Sequence, residues 1–90
     1  MPINIYEADS FISIAILCDD IWDLPNQIDT LEKWLNKEGK TLTKGKYIAD
    51  VGFDIRKEAN GGGAVINLKM IKMLAKFGME IYLSEYPETN

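Results

Sequence analysis

The chain has no histidine, a single cysteine, and not one lysine or arginine before Lys33. Without histidine the commonest general base at neutral pH is missing, and Ser–His and Cys–His nucleophile pairs go with it. One cysteine and no histidine cannot furnish the usual nitrogen and sulfur ligands of a zinc site. A lone Cys18 also rules out an internal disulfide framework and fits a reducing compartment. It closes an apolar stretch and is followed by Asp19 and Asp20, whose charges disfavour a thiolate, so a buried structural thiol is expected. No basic leader pattern opens the chain. The longest apolar run, Phe11 to Cys18, is far too short to cross a bilayer. The expectation is a cytoplasmic protein with no membrane partner.

What charge there is lies unevenly. Glu7, Asp9, Asp19, Asp20, Asp23, Asp29 and Glu32 are the only charged residues up to position 32, and all 10 basic residues follow them, within a net charge of −4. An acidic first third argues against nucleic-acid binding, which needs clustered cations to neutralise phosphate. Lys33, Lys37, Lys40, Lys44 and Lys46 do cluster, but no aromatic residues are interleaved there for base stacking, and a solvated face is expected.

With 90 residues the chain is long enough for one modest core and one domain. The stretch Gly61 to Tyr86 organises it. Leu68 to Phe77 has Lys69, Lys72 and Lys76 on one narrow stripe and apolar residues around the rest, the pattern of a helix covered by a sheet and by a second helix. Asn67 suits its N-cap and Gly78 a left-handed C-terminal stop. Met79, Ile81 and Leu83 then alternate with Glu80, Tyr82 and Ser84 as a closing strand, which Pro87 ends.

Upstream, Ile3 to Tyr6 is a short strand. Phe11 to Cys18 is a stronger one, with Ile12, Ile14 and Ile16 on one face; it is expected near the middle of a sheet. A first helix begins after Asp23 as N-cap, with Pro25 in its first turn, and stops at Gly39. Ile28, Leu31, Trp34 and Leu35 mark its apolar face, and Asp29 and Lys33 form an i,i+4 pair. Lys46 to Lys57 alternates over its whole length. An Asn60-Gly61 turn would fold it back onto Gly62 to Ile66 as a hairpin, placing Ile55 opposite Ile66. The resulting order, β-β-α-β-β-α-β, predicts an α+β fold: an antiparallel sheet with two helices on one face, ferredoxin-like βαββαβ with an extra N-terminal strand.

Few residues form a chemical set. Asp50 and Asp54 share a strand face, but four residues separate them by roughly 13 Å, too far for a paired-carboxylate mechanism. Asp19, Asp20 and Asp23 offer oxygen ligands, yet the glycine and terminal glutamate of an EF-hand loop are absent at the required offsets. Gly61-Gly62-Gly63 lacks the Gly-Lys-Ser/Thr of a phosphate loop, and the hairpin explains the same glycines. No metal, cofactor or catalytic residue is therefore expected. The loop Asp19, Asp20, Ile21, Trp22, Asp23 stands out instead. Trp22 has two readings: a staple tucked under the first helix, slightly favoured by its position, or an exposed aromatic anchor ringed by acids. Either way the acids make this loop the best candidate to meet a cationic partner.

The C-terminal third, from Gly63 through the helix and Phe77-Gly78 to Ile81, Tyr82 and Tyr86, resembles the closing pattern of a family of small bacterial α+β domains. These end in a leucine-rich helix, an aromatic residue or leucine followed by glycine, and a strand finishing near a tyrosine. Some small acidic domains of this kind act as immunity proteins beside polymorphic toxins, and that association is what the resemblance implies. The leading expectation is a non-enzymatic inhibitor of a basic protein such as a nuclease toxin, bound through Asp19, Asp20, Trp22 and Asp23, as monomer or homodimer. The alternative is a ferredoxin-like ligand-binding or regulatory module, dimeric through a sheet edge or face.

Overall fold

A computed structural model describes residues 2–55 and 63–87 of the chain. It contains strand β1 (Ile3–Glu7), strand β2 (Ser13–Leu17), helix α1 (Leu24–Lys37) and a short 3-10 turn at Gly39–Thr41. Strand β3 (Tyr47–Asp54), helix α2 (Leu68–Phe77) and strand β4 (Met79–Tyr86) follow.

The local signals for both helices hold. The Asp23 carboxylate accepts from the Asn26 amide at 3.4 Å and from its side chain at 2.7 Å. The Asn67 side chain accepts from the Met70 amide at 2.9 Å. These acceptors satisfy donors that the first helical turn leaves without partners. Gly78 ends α2 at φ 78, and a side chain there would run into the Gly45 carbonyl, so its lack of a Cβ is required twice over. Glu38 caps α1, and Gly39 lies flat beneath the Phe77 ring. Asp29 and Lys33 pair at 3.3 Å in the open, a contact worth a few tenths of a kcal/mol.

The sheet corrects the expected topology. Its order is β2-β1-β3-β4, with β1 antiparallel to both β2 and β3 but β4 parallel to β3 in full register, Tyr47 against Met79 through Asp54 against Tyr86. The fold is α+β, yet it is not the ferredoxin-like βαββαβ arrangement, and the sheet is mixed rather than antiparallel. The physical reason lies in β3. Both of its edges are occupied, by β1 and by β4, so no edge is left for a hairpin partner, and Ala64 to Ile66 form no strand. The Asn60-Gly61 turn itself lies outside the described residues. Two crossovers build the sheet instead. Helix α2 links the adjacent parallel strands β3 and β4, and α1 links β2 to β3 across β1, which lies between them.

Strand positions are corrected too. β1, expected as an edge addition, is central, with Ile3 and Ile5 fully buried. β2 is an edge, and its isoleucines face outward: Ile12, Ile14 and Ile16 are exposed, while Ala15 and Leu17 pack inward. Inward residues of β1, β3 and β4 (Ile3, Ile5, Tyr47, Ala49, Val51, Met79) form one core with Ile28, Leu31 and Leu35 of α1 and Met70, Leu74 and Phe77 of α2. Each large aliphatic side chain in it contributes about 1.5–3 kcal/mol by leaving water. Helix α2 is covered less completely than its apolar arc predicts: Leu68, Ile71 and Ala75 are exposed on its outer side. None of the helices is long and apolar enough to cross a membrane, among the described residues.

Candidate functional site

Because both helices lie on one face, no element among the described residues covers the other face of the sheet. Its outward positions include Asn4, Tyr6, Ile16, Ile48, Asp50, Gly52, Asp54, Tyr82, Ser84 and Tyr86. Ile48 is only 7% exposed even so, paired with Tyr6 of β1 and Glu80 of β4. The polar groups are tied to one another: Ser13 Oγ donates to Asn4 Oδ1 at 2.8 Å and Ser84 Oγ to Asp50 Oδ1 at 2.9 Å. Burial against this face, then the charges of Asp50 and Tyr82, hold the Tyr6 phenol above its ordinary value. Tyr6 also stacks on Phe11, which projects from the β1–β2 turn with ring centroids 6.0 Å apart.

The candidate loop closes one end of this face. After Ile3 pairs with Val51, β1 has no residue left to accompany the last part of β3, and the chain around Trp22 takes over. The Gly52 amide donates to the Pro2 carbonyl at 2.5 Å, and the Asp54 amide donates to the Trp22 carbonyl at 2.9 Å. From the opposite edge Tyr86 leans back over β3. Gly52 makes this possible: a Cβ there would stand 2.6 Å from Cε2 of Tyr86. The two rings meet edge to face, centroids 6.0 Å apart and planes at 89°, a favourable aromatic geometry. Trp22 is thus half-buried, held by a ring from β4 rather than stapled beneath α1. Trp22, Tyr86, Asp54 and Pro87 line an open cleft of about 380 Å³.

One buried side chain fixes the loop to the sheet. Gln27 of α1 is fully buried, and its Nε2 donates to the Ile21 carbonyl at 2.9 Å and to the Gly52 carbonyl at 2.6 Å. With both hydrogens used, its Oε1 has no partner among the described residues. Accepting that cost, about 1–3 kcal/mol for an unmet buried acceptor, marks Gln27 as a structural clasp. It joins the loop, α1 and the end of β3.

The four predicted residues do not share one role. Asp19 and Asp20 sit exposed in the turn, whereas Asp23 is engaged as the cap of α1. Trp22 points to Tyr86. Cys18, just before them, is buried at φ 61. Burial pushes its thiol pKa up; the neighbouring Thr30 side chain lowers it, and Asp23 and Asp19 raise it again, leaving it above the ordinary value. No group of three or more acidic or thiol side chains is placed to hold a metal ion, among the described residues. Asp54, Tyr86, Gly52 and Gln27 were absent from the sequence-level site. Alternation does set Gly52 and Asp54 on one strand face, but only the parallel pairing brings Tyr86 beside them.

Charge is sorted between the layers. No residue of the four strands is basic, while their acids include Asp50, Asp54 and Glu80. The lysines of the described residues lie in the helices and their connections, and Lys33, Lys37, Lys40, Lys44 and Lys46 are all exposed. A second opening of about 300 Å³, between the C-terminal ends of the helices, is rimmed by Lys40, Lys44 and Lys76. Lysines there complement the negative ends of two helix dipoles. Comparison with protein families, with characterised proteins and with solved structures finds no match.

Proposed function

We propose that this chain is a small acidic protein-binding module, most concretely an inhibitor (immunity protein) that neutralises a basic protein such as a nuclease toxin. One observation carries the reading. The acidic turn and the half-exposed Trp22–Tyr86 pair lie together at the end of an uncovered sheet face whose strands hold acids and no cations. An aromatic anchor within a negative rim is the composition of a hot spot for a cationic partner, and the rim would accelerate its approach in low salt. In this reading the carboxylates of Asp19, Asp20 and Asp23 occlude a cationic substrate groove, with Trp22 at the centre of the contact.

The test is affinity capture from native-host lysate at low and then high salt, with retained proteins identified by mass. The expected result is one basic protein held in near-stoichiometric amount. The binding weakens with salt, and by roughly tenfold or more when Asp19, Asp20 and Asp23 become Asn. Asparagine caps a helix as well as aspartate does, so the fold survives the change. Retention of nothing at either salt, in cells that express the toxin, overturns the reading.

A second reading is a regulatory module dimerising through its sheet. It is favoured by the exposed Ile14, Ile16, Tyr82 and Tyr86 on that same face. Its test is the oligomeric state.

A further inference from the structure

We infer that the cleft between Trp22 and Tyr86 is a receptor for a single arginine side chain, supplied by the basic partner. The identity of that partner rests on the inhibitor reading; the chemistry of the cleft stands on its own geometry. The two rings meet at 89° and form a corner. A planar guanidinium lying against one ring face enjoys cation–π attraction and meets the edge of the other ring. Asp54 completes the third side, and a carboxylate can receive two parallel N–H donors from the guanidinium fork. Pro87 also lines the cleft and contributes no competing donor, since proline has no amide hydrogen. At about 380 Å³ the cleft has room for the end of one long side chain.

The floor is prepared as well. Gly52 allows the Tyr86 ring to cross β3, and the Asp54 amide, engaged by the Trp22 carbonyl, fixes the third wall to the first. The Gln27 clasp holds the loop that carries Trp22. The corner is therefore built before a ligand arrives, which lowers the ordering cost of binding. Lysine would fit less well. Its compact ammonium offers no flat face to a ring and no fork to Asp54.

The experiment is a titration of the full chain with N-acetyl-arginine amide, observed through the indole N–H resonance of Trp22. Trp34 in α1 serves as an internal reference, and Trp34→Phe assigns the two signals. The expected result is a saturable shift of Trp22 alone. Lysine amide should give a weaker shift, and the uncharged isostere citrulline amide none. Asp54→Asn and Tyr86→Ala, both at exposed side chains, should weaken binding by roughly tenfold or more. Equal shifts from citrulline amide, or binding unchanged in both variants, would overturn the proposal. If arginine amide leaves Trp22 unmoved while a basic protein is still retained through the aspartates, the cleft fails and the inhibitor reading stands. If arginine amide binds but no basic protein is retained, the inhibitor reading fails alone and the cleft remains a guanidinium site.

Discussion

Cys18 follows β2 with a left-handed backbone, φ 61, and its side chain is buried. A Cβ in that conformation costs about 1–2 kcal/mol, and the thiol is also held in its neutral form. Its folded pKa is raised, so the folded state keeps a proton that the unfolded chain gives up. Stability from this group is present below the unfolded thiol value, about 8.5, and is lost as pH rises through and above it. Urea midpoints measured from pH 7 to pH 10 should therefore fall at the alkaline end, and Cys18→Ala should flatten that fall. A midpoint whose pH dependence ignores the substitution would refute the assignment. Raised Tyr6 acts in the same direction at higher pH. At this scale the sequence was most readable where the partner is local. Asp23 and Asn67 cap helices three residues away, and Gly78 stops a helix it directly follows. Gly52 was legible only as a strand residue without a side chain, because the ring that needs its bare backbone comes from Tyr86, 34 positions later.

Between elements, Gln27 does what no periodicity announces. It lies on the buried face of α1 as a polar residue, and its two bonds fasten a loop and a strand that also meet through the Asp54 amide and the Trp22 carbonyl. Gln27→Leu keeps the volume and removes both donors. It should cost about 1–3 kcal/mol, reduced by removal of the unmet Oε1, and should speed amide exchange from Asp19 to Asp23 more than in α2. Uniform exchange across the chain would show that the clasp is dispensable. The hairpin expectation failed at this scale for an identifiable reason. Glycines after an alternating strand match a tight turn, but a turn motif does not reveal whether the strand's edges are already occupied. Here β4 returns through α2 and takes that edge in parallel, a pairing set by the crossover rather than by any residue within the strand. The same blindness misplaced β2. Its outward isoleucines suggested a buried centre, whereas they belong to an uncovered edge.

As a whole, the molecule sorts charge between its regular elements: the two helices bear Lys33, Lys37, Lys69, Lys72 and Lys76 against Asp29 and Glu32, while the four strands bear acids and no cation. Packing two sheet faces together would set Asp50 and Glu80 of one copy against an equally acidic surface, and like charges without partners oppose that contact. The chain is expected to sediment as a monomer at micromolar concentration near neutral pH. Self-association should grow as pH falls toward the isoelectric point of about 4.7, where the net charge that keeps copies apart vanishes. A dimer that persists at pH 7 and is indifferent to salt would favour the regulatory reading instead. The layer arrangement also has a consequence for motion in solution. A body with lysines behind and carboxylates in front carries a permanent dipole across its thickness, so a nearby positive surface exerts a torque on it before any atoms touch. Toward such a surface the molecule would turn with its strands leading and its helices trailing, and the two aromatic rings would lie at the edge of that leading side.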